Sequence, residues 1–129
     1  MVEIIVVTAI VAASILAALA VAQKAIYVAR SSLHLSQAAY LLEEGAENTK
    51  ILRDNDWSNI ANFSTTSESI GIFTRSTSLA NVYRDVNEDI ALSGTLDPGT
   101  KLVTVSVSWP EGGNAVTKTL LFYITDIFS

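Results

Sequence analysis

The most constraining feature of the sequence is an uncharged apolar stretch near its start. From Ile4 to Ala22 the chain has no charged residue, and its only polar side chains are those of Thr8 and Ser14. As an α-helix at about 1.5 Å per residue, this stretch would be roughly 28 Å long, close to the thickness of a bilayer's hydrocarbon core. It contains no Gly or Pro that would interrupt a helix. The stretch can therefore span a membrane.

The helical pattern continues beyond the apolar stretch and becomes amphipathic. Between Gln23 and Asp54, apolar and small residues recur at spacings of three and four, which is typical of a helix with one buried face. These residues are Ala38, Leu41, Leu42, Gly45, Ala46, Thr49 and Leu52. Because glycine weakens a helix interior, Gly45 suggests a close approach of another backbone or a sheet, although a merely tolerated glycine is an open alternative.

One helix from residue 3 to about 54 would be roughly 77 Å long. A domain of this size cannot cover such a helix with its own side chains. Its first half must be buried in a membrane or against other copies of the chain.

The remainder of the chain predicts a small antiparallel sheet. Asp54, Asn55 and Asp56 favour the end of the helix, and residues 57–69 are predicted to form a loop. Strands are predicted at 69–75, with Ile70 and Ile72 on one face, and at 79–85, 101–109 and 115–124, with turns at 96–99 and 110–114. The clearest strand places Val103, Val105, Val107 and Trp109 on one face, and the last strand does the same with Val116, Leu120, Phe122 and Ile124.

The predicted fold class is therefore α+β, with a long N-terminal helix whose C-terminal half packs on a small antiparallel β-sheet head. We expect three parts: a hydrophobic helix over 1–23, an amphipathic helix over 24–56 and a β head over 57–129.

Three interpretations of the apolar stretch compete. It could be a secretory signal peptide, since residues 18–20 and 20–22 have the small-residue pattern of a cleavage site, but no basic segment precedes it. It could be a plain membrane anchor for an exposed binding domain. Both interpretations leave the acid at its very start, Glu3, without a purpose.

The third interpretation rests on a resemblance carried by Met1 to Ile10, which read MVEIIVVTAI. A lone acid at the head of an apolar helix that continues as an amphipathic one resembles the N-terminus of type IV pilins and pseudopilins. Two later segments, LLEEG at 41–45 and ILRDNDWS at 51–58, resemble a class of bacterial pilin-like proteins. A long helix followed by a small antiparallel sheet is also the architecture that this resemblance implies.

The resemblance implies a role for each part of the apolar helix. Glu3 would neutralise the N-terminal ammonium of a neighbouring subunit and so set the axial register of a filament, because a paired buried charge is tolerated where an unpaired one is not. The filament core would be formed by Ile4, Ile5, Val6, Val7, Ile10, Val11, Ile15, Leu16 and Leu19.

The resemblance also implies processing and partners. A prepilin peptidase would cut the precursor and the new N-terminal amine would be methylated, with the inner-membrane assembly machinery as a further partner. The acid of the family stands two positions later in the mature chain than Glu3 does here, which predicts that two residues and a leader precede Met1. The glycine or proline that the family often has in this helix has no counterpart before Gly45.

Composition excludes several other classes. The net charge is −5, from 8 basic and 13 acidic residues, and no segment is basic, so we expect no dedicated nucleic-acid site. The chain has no Cys and a single His, His34, which argues against thiolate or histidine metal sites and against the common nucleophilic triads. We therefore expect no enzyme and no catalytic residues.

One motif suggests a cation. Asp85, Asn87 and Asp89 have the alternate spacing of a calcium-binding loop. The glycine expected next is Ile90, however, and the expected glutamate is Leu96. A solvated turn is therefore preferred, with calcium as the alternative and no metal site assigned.

The sequence thus predicts a structural subunit that polymerises into a type IV pilus-like extracellular filament, held in the cytoplasmic membrane before assembly. The alternatives are a pseudopilin of a type II-like secretion system and a single-pass membrane-anchored binding or adhesin module. Whether a filament would serve adhesion, motility or another task is left open.

Overall fold

The computed structural model describes residues 1–128. A long helix is followed by a short one and then by a five-stranded antiparallel sheet, so the predicted α+β class is confirmed. The elements are α1 (Val2–Asn55), α2 (Ser58–Ala61), β1 (Thr66–Ile70), β2 (Phe73–Arg84), β3 (Ile90–Ala91), β4 (Thr95–Glu111) and β5 (Asn114–Thr125). The chain divides into two compact units: unit 1 is Met1–Ser36, and unit 2 begins at Gln37.

The sheet of unit 2 has the strand order β1-β2-β4-β5, and the short β3 pairs with the end of β2. All pairings are antiparallel. In the middle of the sheet Thr77 lies opposite Val105, which in turn lies opposite Leu120. The sheet is therefore an antiparallel meander, as the alternating strands of the sequence predict.

The core of unit 2 lies between the inner face of the sheet and the part of α1 that begins at Gln37. Val103, Val105, Val107 and Trp109 are all buried, as predicted. The ring of Trp109 meets that of Phe73 edge to face, with 5.6 Å between centroids, a favoured geometry for aromatic pairs. The other buried apolar residues of this core are Ala38, Ala46, Ile60, Val82 and Ile124.

The outer face of the same sheet carries mainly hydroxyl groups and no charged residue in these segments. Its hydroxyl-bearing residues are Ser67, Ser69, Thr74, Ser76, Ser78, Thr104, Ser106, Ser108, Thr117 and Thr119. Ala80, Leu102, Leu121 and Tyr123 lie on the same face, and Leu121 and Tyr123 are more than half exposed. Because successive side chains of a strand point to opposite faces, the charged residues of these strand segments alternate onto the inner face. They are Glu68, Arg75, Lys101, Glu111 and Lys118.

Several boundaries differ from the sequence prediction. The strand predicted at 69–75 is wrong, because a hairpin turn at Gly71 and Ile72 separates β1 from β2. Gly71 has φ 61°, a conformation that glycine adopts without strain and that tight turns require. Ile70 therefore lies at the end of β1 and does not share a strand face with Ile72.

The turn predicted at 96–99 is also wrong, because these residues lie within β4. The pairing of β4 with β2 shifts register between Asn81 and Val82, opposite the segment from Asp97 to Lys101. A bulge of this kind admits Pro98 without ending the strand.

The remaining differences are smaller. The loop predicted at 57–69 contains α2 and most of β1. The predicted turn at 110–114 is a tight hairpin turn at Gly112 and Gly113, both with positive φ. The buried side of β5 is confirmed, since Val116, Leu120, Phe122 and Ile124 are the less exposed residues of that strand.

Candidate assembly segment

Unit 1 is the N-terminal part of α1, and its apolar side chains are exposed. The nine residues predicted to form a filament core are between 51% and 71% exposed. Isolated surface apolar residues are ordinary, but a continuous apolar surface of this extent marks a site of interaction with a membrane or with protein. We call residues 4–22 the apolar segment.

The apolar segment is long and apolar enough for α1 to cross a membrane, and none of its most apolar stretch is buried within the structure. A helix satisfies its backbone hydrogen bonds internally, which is the requirement for entering a medium without water. The membrane-spanning capacity predicted from the sequence is thus present in the structure.

The two polar residues of the apolar segment also need no outside partner. The hydroxyl of Thr8 donates to the carbonyl oxygen of Ile4 at 2.7 Å, and that of Ser14 donates to the carbonyl oxygen of Ile10 at 2.9 Å. Serine and threonine often bond one turn back in this way. These bonds lower the cost of transferring the segment into an apolar environment.

Charge flanks the apolar segment on both sides. Glu3 lies in the first turn of α1, where the free backbone N–H groups and the helix dipole favour a carboxylate. The next charged residue is Lys24, whose ammonium nitrogen lies 5.5 Å from the centre of the Tyr27 ring. A cation beside an aromatic ring suits the boundary between lipid and water.

The candidate calcium loop lies in unit 2, between β2 and β3. One carboxylate oxygen of Asp85 accepts hydrogen bonds from the backbone N–H groups of Asn87 at 2.8 Å and Asp89 at 3.1 Å. Among residues 1–128, no group of three or more His, Cys, Asp or Glu side chains is arranged to hold a metal ion. The carboxylate of Asp85 thus shapes its own turn, and calcium binding stays an untested alternative.

An ion pair between Arg84 and Asp97 lies beside the turn that contains Asp85. The guanidinium of Arg84 donates to the carboxylate of Asp97 at 2.7 Å and to the carbonyl oxygen of Glu88 at 2.8 Å. The hydrogen bonds from Arg84 and then from Thr100 hold the pKa of Asp97 below its usual value. Arg84 therefore ties the turn to β4.

The structure also reveals a charged cluster that the sequence analysis missed. Arg75 is only 4% exposed and donates to Glu68 at 2.7 Å, to the carbonyl oxygen of Leu41 at 3.0 Å and to Glu44 at 3.3 Å. Burial lowers the pKa of this guanidinium, but the two carboxylates raise it more, and the net shift is upward. The sequence did contain a signal for this buried charge, because Arg75 alternates with Phe73 and Thr77 and therefore lies on the same strand face as they do.

Comparison with known proteins gives no relative. The chain matches no protein-family model, no curated protein and no solved structure.

Proposed function

We propose that the chain is the structural subunit of a type IV pilus-like filament, assembled through its apolar segment. The observation that carries the proposal is the exposed apolar surface of unit 1, on a helix whose two hydroxyl groups are internally bonded. The α+β layout, with a long N-terminal helix ahead of an antiparallel sheet, supports it further.

Association would be driven by burial of the apolar segment against copies of itself. Full burial of one large apolar side chain contributes roughly 1.5–3 kcal/mol. Nine such side chains, half or more exposed in the single chain, supply a driving force that only a membrane or other subunits can satisfy. The same surface would account for residence in the cytoplasmic membrane before assembly and in an extracellular filament after it.

Glu3 is the proposed register residue. It is the only charged side chain before Lys24, and an apolar filament core would penalise it unless a positive group met it. The N-terminal ammonium of a neighbouring subunit is the proposed partner. A prepilin peptidase and the inner-membrane assembly machinery are the further partners that this proposal requires.

The test is filament formation by cells that carry charge variants of the chain. Glu3→Ala and Glu3→Gln each remove the charge, and Glu43→Ala is the matched control because Glu43 is an exposed acid of the same helix within unit 2. Filaments sheared from cells are counted by electron microscopy, and the subunit in membranes and filaments is quantified. We expect loss of filaments for both Glu3 variants, with normal membrane levels, and normal filaments for the control.

Other outcomes separate the alternatives. Normal filaments from Glu3→Gln would refute the register role. A wild-type chain that never leaves the membrane fraction would favour the single-pass anchored module, which the membrane-spanning capacity of α1 also supports. A filament confined to the periplasm of a secreting cell would favour a pseudopilin of a type II-like secretion system.

The mass and N-terminal sequence of the protein from its source provide a second test. A methylated N-terminus located one or two residues before Met1 would support prepilin processing. A mature chain that begins at Val21 or Gln23 would indicate a cleaved signal peptide and would refute the filament proposal.

A further inference from the structure

We propose that the outer edge of β5 pairs with β5 of a second copy of the chain, in antiparallel orientation. The proposal goes beyond filament formation and does not depend on it, because this edge belongs to the sheet of unit 2. It starts from the backbone of β5. Within residues 1–128 this strand pairs with β4 alone, so the N–H and C=O groups along its other side are open to a further strand.

The edge of β5 lacks the features by which sheet edges usually avoid pairing. Natural edge strands are short, charged, bulged or interrupted by proline. β5 has 12 residues, contains neither glycine nor proline, and carries Lys118 as its only charge. It pairs with β4 without a register shift. The opposite edge is better protected, because β1 has only 5 residues with Glu68 at their centre. β5 is therefore the edge suited to strand addition.

The exposed apolar side chains of β5 select one register of this pairing. Leu121 is 57% exposed and Tyr123 is 51% exposed, although the outer face carries mainly hydroxyl groups. Opposite residues of an antiparallel pair have their side chains on the same face. With Phe122 opposite Phe122 of the second copy, Leu121 of each copy lies opposite Tyr123 of the other. An aromatic ring beside an aliphatic side chain is a favourable cross-strand pair, and this pair forms twice.

The same register also pairs opposite charges. Lys118 of each copy lies opposite Asp126 of the other, on the inner side of the sheet. Asp126 prolongs the strand, because its backbone N–H donates to the carbonyl oxygen of Gly99 at 2.9 Å. With Leu121 or Tyr123 at the centre instead, neither the charged pair nor the apolar pair forms. One register thus satisfies both sets of contacts, and this self-complementarity favours a second copy of the strand over an unrelated peptide.

The pairing is isologous, because each copy contributes the same strand. Such a contact is complete after two copies, so it joins chains in pairs and cannot by itself build a filament. A failure of the pairing would leave the filament proposal untouched, and a loss of filaments in the Glu3 variants would leave the pairing untouched.

The first experiment measures the association of the full chain by sedimentation equilibrium. The chain is kept in micelles of pentaethylene glycol octyl ether, whose density matches that of the buffer, so that only the protein contributes to the measured mass. The micelle covers the apolar segment. Charge variants of β5 then separate association through the sheet from association through that segment.

Two double variants differ only in the charge that they place at the pairing. Leu121→Lys/Tyr123→Lys puts lysine opposite lysine twice, and like charges directly opposite destabilise paired strands. Leu121→Lys/Tyr123→Glu loses the same apolar side chains but puts lysine opposite glutamate. Circular dichroism confirms that both variants fold.

Disulfide formation tests the register directly. The chain has no cysteine of its own, so Leu121→Cys and Tyr123→Cys are prepared as separate variants. In a mixture their thiols lie directly opposite each other, whereas either variant alone places its thiols diagonally, about 7–8 Å apart and too far for a disulfide. The matched control is a mixture of Ser67→Cys and Ser69→Cys, which have the same spacing on the outer face of β1 at the opposite edge.

We expect dimers of the wild type, and we expect the lysine–lysine variant to dimerise about tenfold more weakly than the lysine–glutamate variant. Disulfides should form only in the mixture of Leu121→Cys and Tyr123→Cys. A wild type that stays monomeric would overturn the proposal, as would equal dimerisation of the two double variants. Disulfides formed as readily by either β5 variant alone, or by the β1 mixture, would also overturn it, since they would indicate another register or the other edge.

Discussion

Gly45 of α1 and Val105 of β4 are in such close contact that a β-carbon at position 45 would lie 2.7 Å from Cγ1 of Val105. The same β-carbon would lie 3.3 Å from Cδ of Arg75. Val105 is completely buried, and its branched side chain has few alternative rotamers. Gly45 therefore lies where the helix of unit 2 closely approaches the sheet, and this favours the first of the two explanations that the sequence left open.

Gly45→Ala is expected to destabilise unit 2. Alanine in place of glycine favours a helix by about 1 kcal/mol, but overpacking a filled core costs typically 1–3 kcal/mol. Since Val105 cannot move aside cheaply, we expect the free energy of unfolding to fall by about 1 kcal/mol. Chemical denaturation followed by the fluorescence of Trp57 and Trp109, both in unit 2, measures it.

A double-mutant cycle tests the cause of this loss. Val105→Ala alone should cost about 2 kcal/mol because it leaves a cavity. In Gly45→Ala/Val105→Ala the clash is absent and the gain in helix propensity remains, so the double variant should be more stable than the sum of the single changes predicts. Strictly additive effects, or a Gly45→Ala variant more stable than the wild type, would contradict this account.

Patterns of apolar residues explain what the sequence could predict. The uninterrupted apolar run from Ile4 to Ala22 is too long for a strand and predicts a helix, and the alternation of Val103, Val105, Val107 and Trp109 predicts a strand with one buried side. The helix was therefore predicted with nearly the right bounds, whereas the central strand was predicted only for its inner part, since β4 spans Thr95–Glu111. What the apolar segment packs against is not determined by contacts within a single chain, because none of its most apolar stretch is buried there.

Features that depend on pairing between strands were not predictable. Leu96 to Gly99 has the composition of a turn, but pairing with β2 keeps it extended through a register shift. The hairpin turn at Gly71 and Ile72 was not predicted, because Ile70 and Ile72 have the alternate spacing of a single strand. The turn preferred from the sequence at Asp85 agrees with the structure, in which its carboxylate accepts hydrogen bonds from the backbone of Asn87 and Asp89, and calcium binding there stays a prediction.

Arg75 is expected to stabilise the contact between the helix of unit 2 and the sheet. It is buried and bridges β1 and α1 through Glu68 and Glu44, while both carboxylates are more than half exposed and can be hydrated when it is lost. We expect Arg75→Met, which keeps the aliphatic stem, to lower the free energy of unfolding by about 1–3 kcal/mol through the lost hydrogen bonds.

The matched control for Arg75 is Lys50→Met. Lys50 forms a surface pair with Glu47 at 2.8 Å on the same helix, and exposed pairs contribute about 0–1 kcal/mol. The two variants are compared by chemical denaturation under the same conditions. If Arg75→Met were no more destabilising than Lys50→Met, the cluster around Arg75 would have no structural role.

Gly94 is expected to be essential for the connection between β3 and β4. Its φ is 144°, and a β-carbon there would lie 2.1 Å from the carbonyl oxygen of Arg84. Both the backbone conformation and the space exclude a side chain. We expect Gly94→Ala to cost about 2 kcal/mol or more, whereas Gly112→Ala, also at positive φ but with open space around it, should cost less. Equal losses measured by thermal denaturation would show that contact with Arg84 adds nothing.

Asp97 is expected to make stability depend on pH in the acid range. Its hydrogen bonds from Arg84 and Thr100 hold the pKa of its carboxyl below the value in an unfolded chain, about 3.9. The folded state therefore binds this proton less readily than the unfolded state does. The stabilisation is fully present above about pH 4 and is lost as the pH falls through the pKa of the folded state.

The measurement is the free energy of unfolding between pH 6 and pH 2, for the wild type and for Asp97→Asn. The variant should lose stability at pH 6 and should show a shallower decline below pH 4, because its side chain does not titrate. Asp56 contributes in the same direction, since the backbone N–H of Ser58 donates to its carboxylate at 2.8 Å and lowers its pKa. Asp56→Asn/Asp97→Asn should therefore decline less than either single variant, and an undiminished decline in Asp97→Asn would refute the assignment.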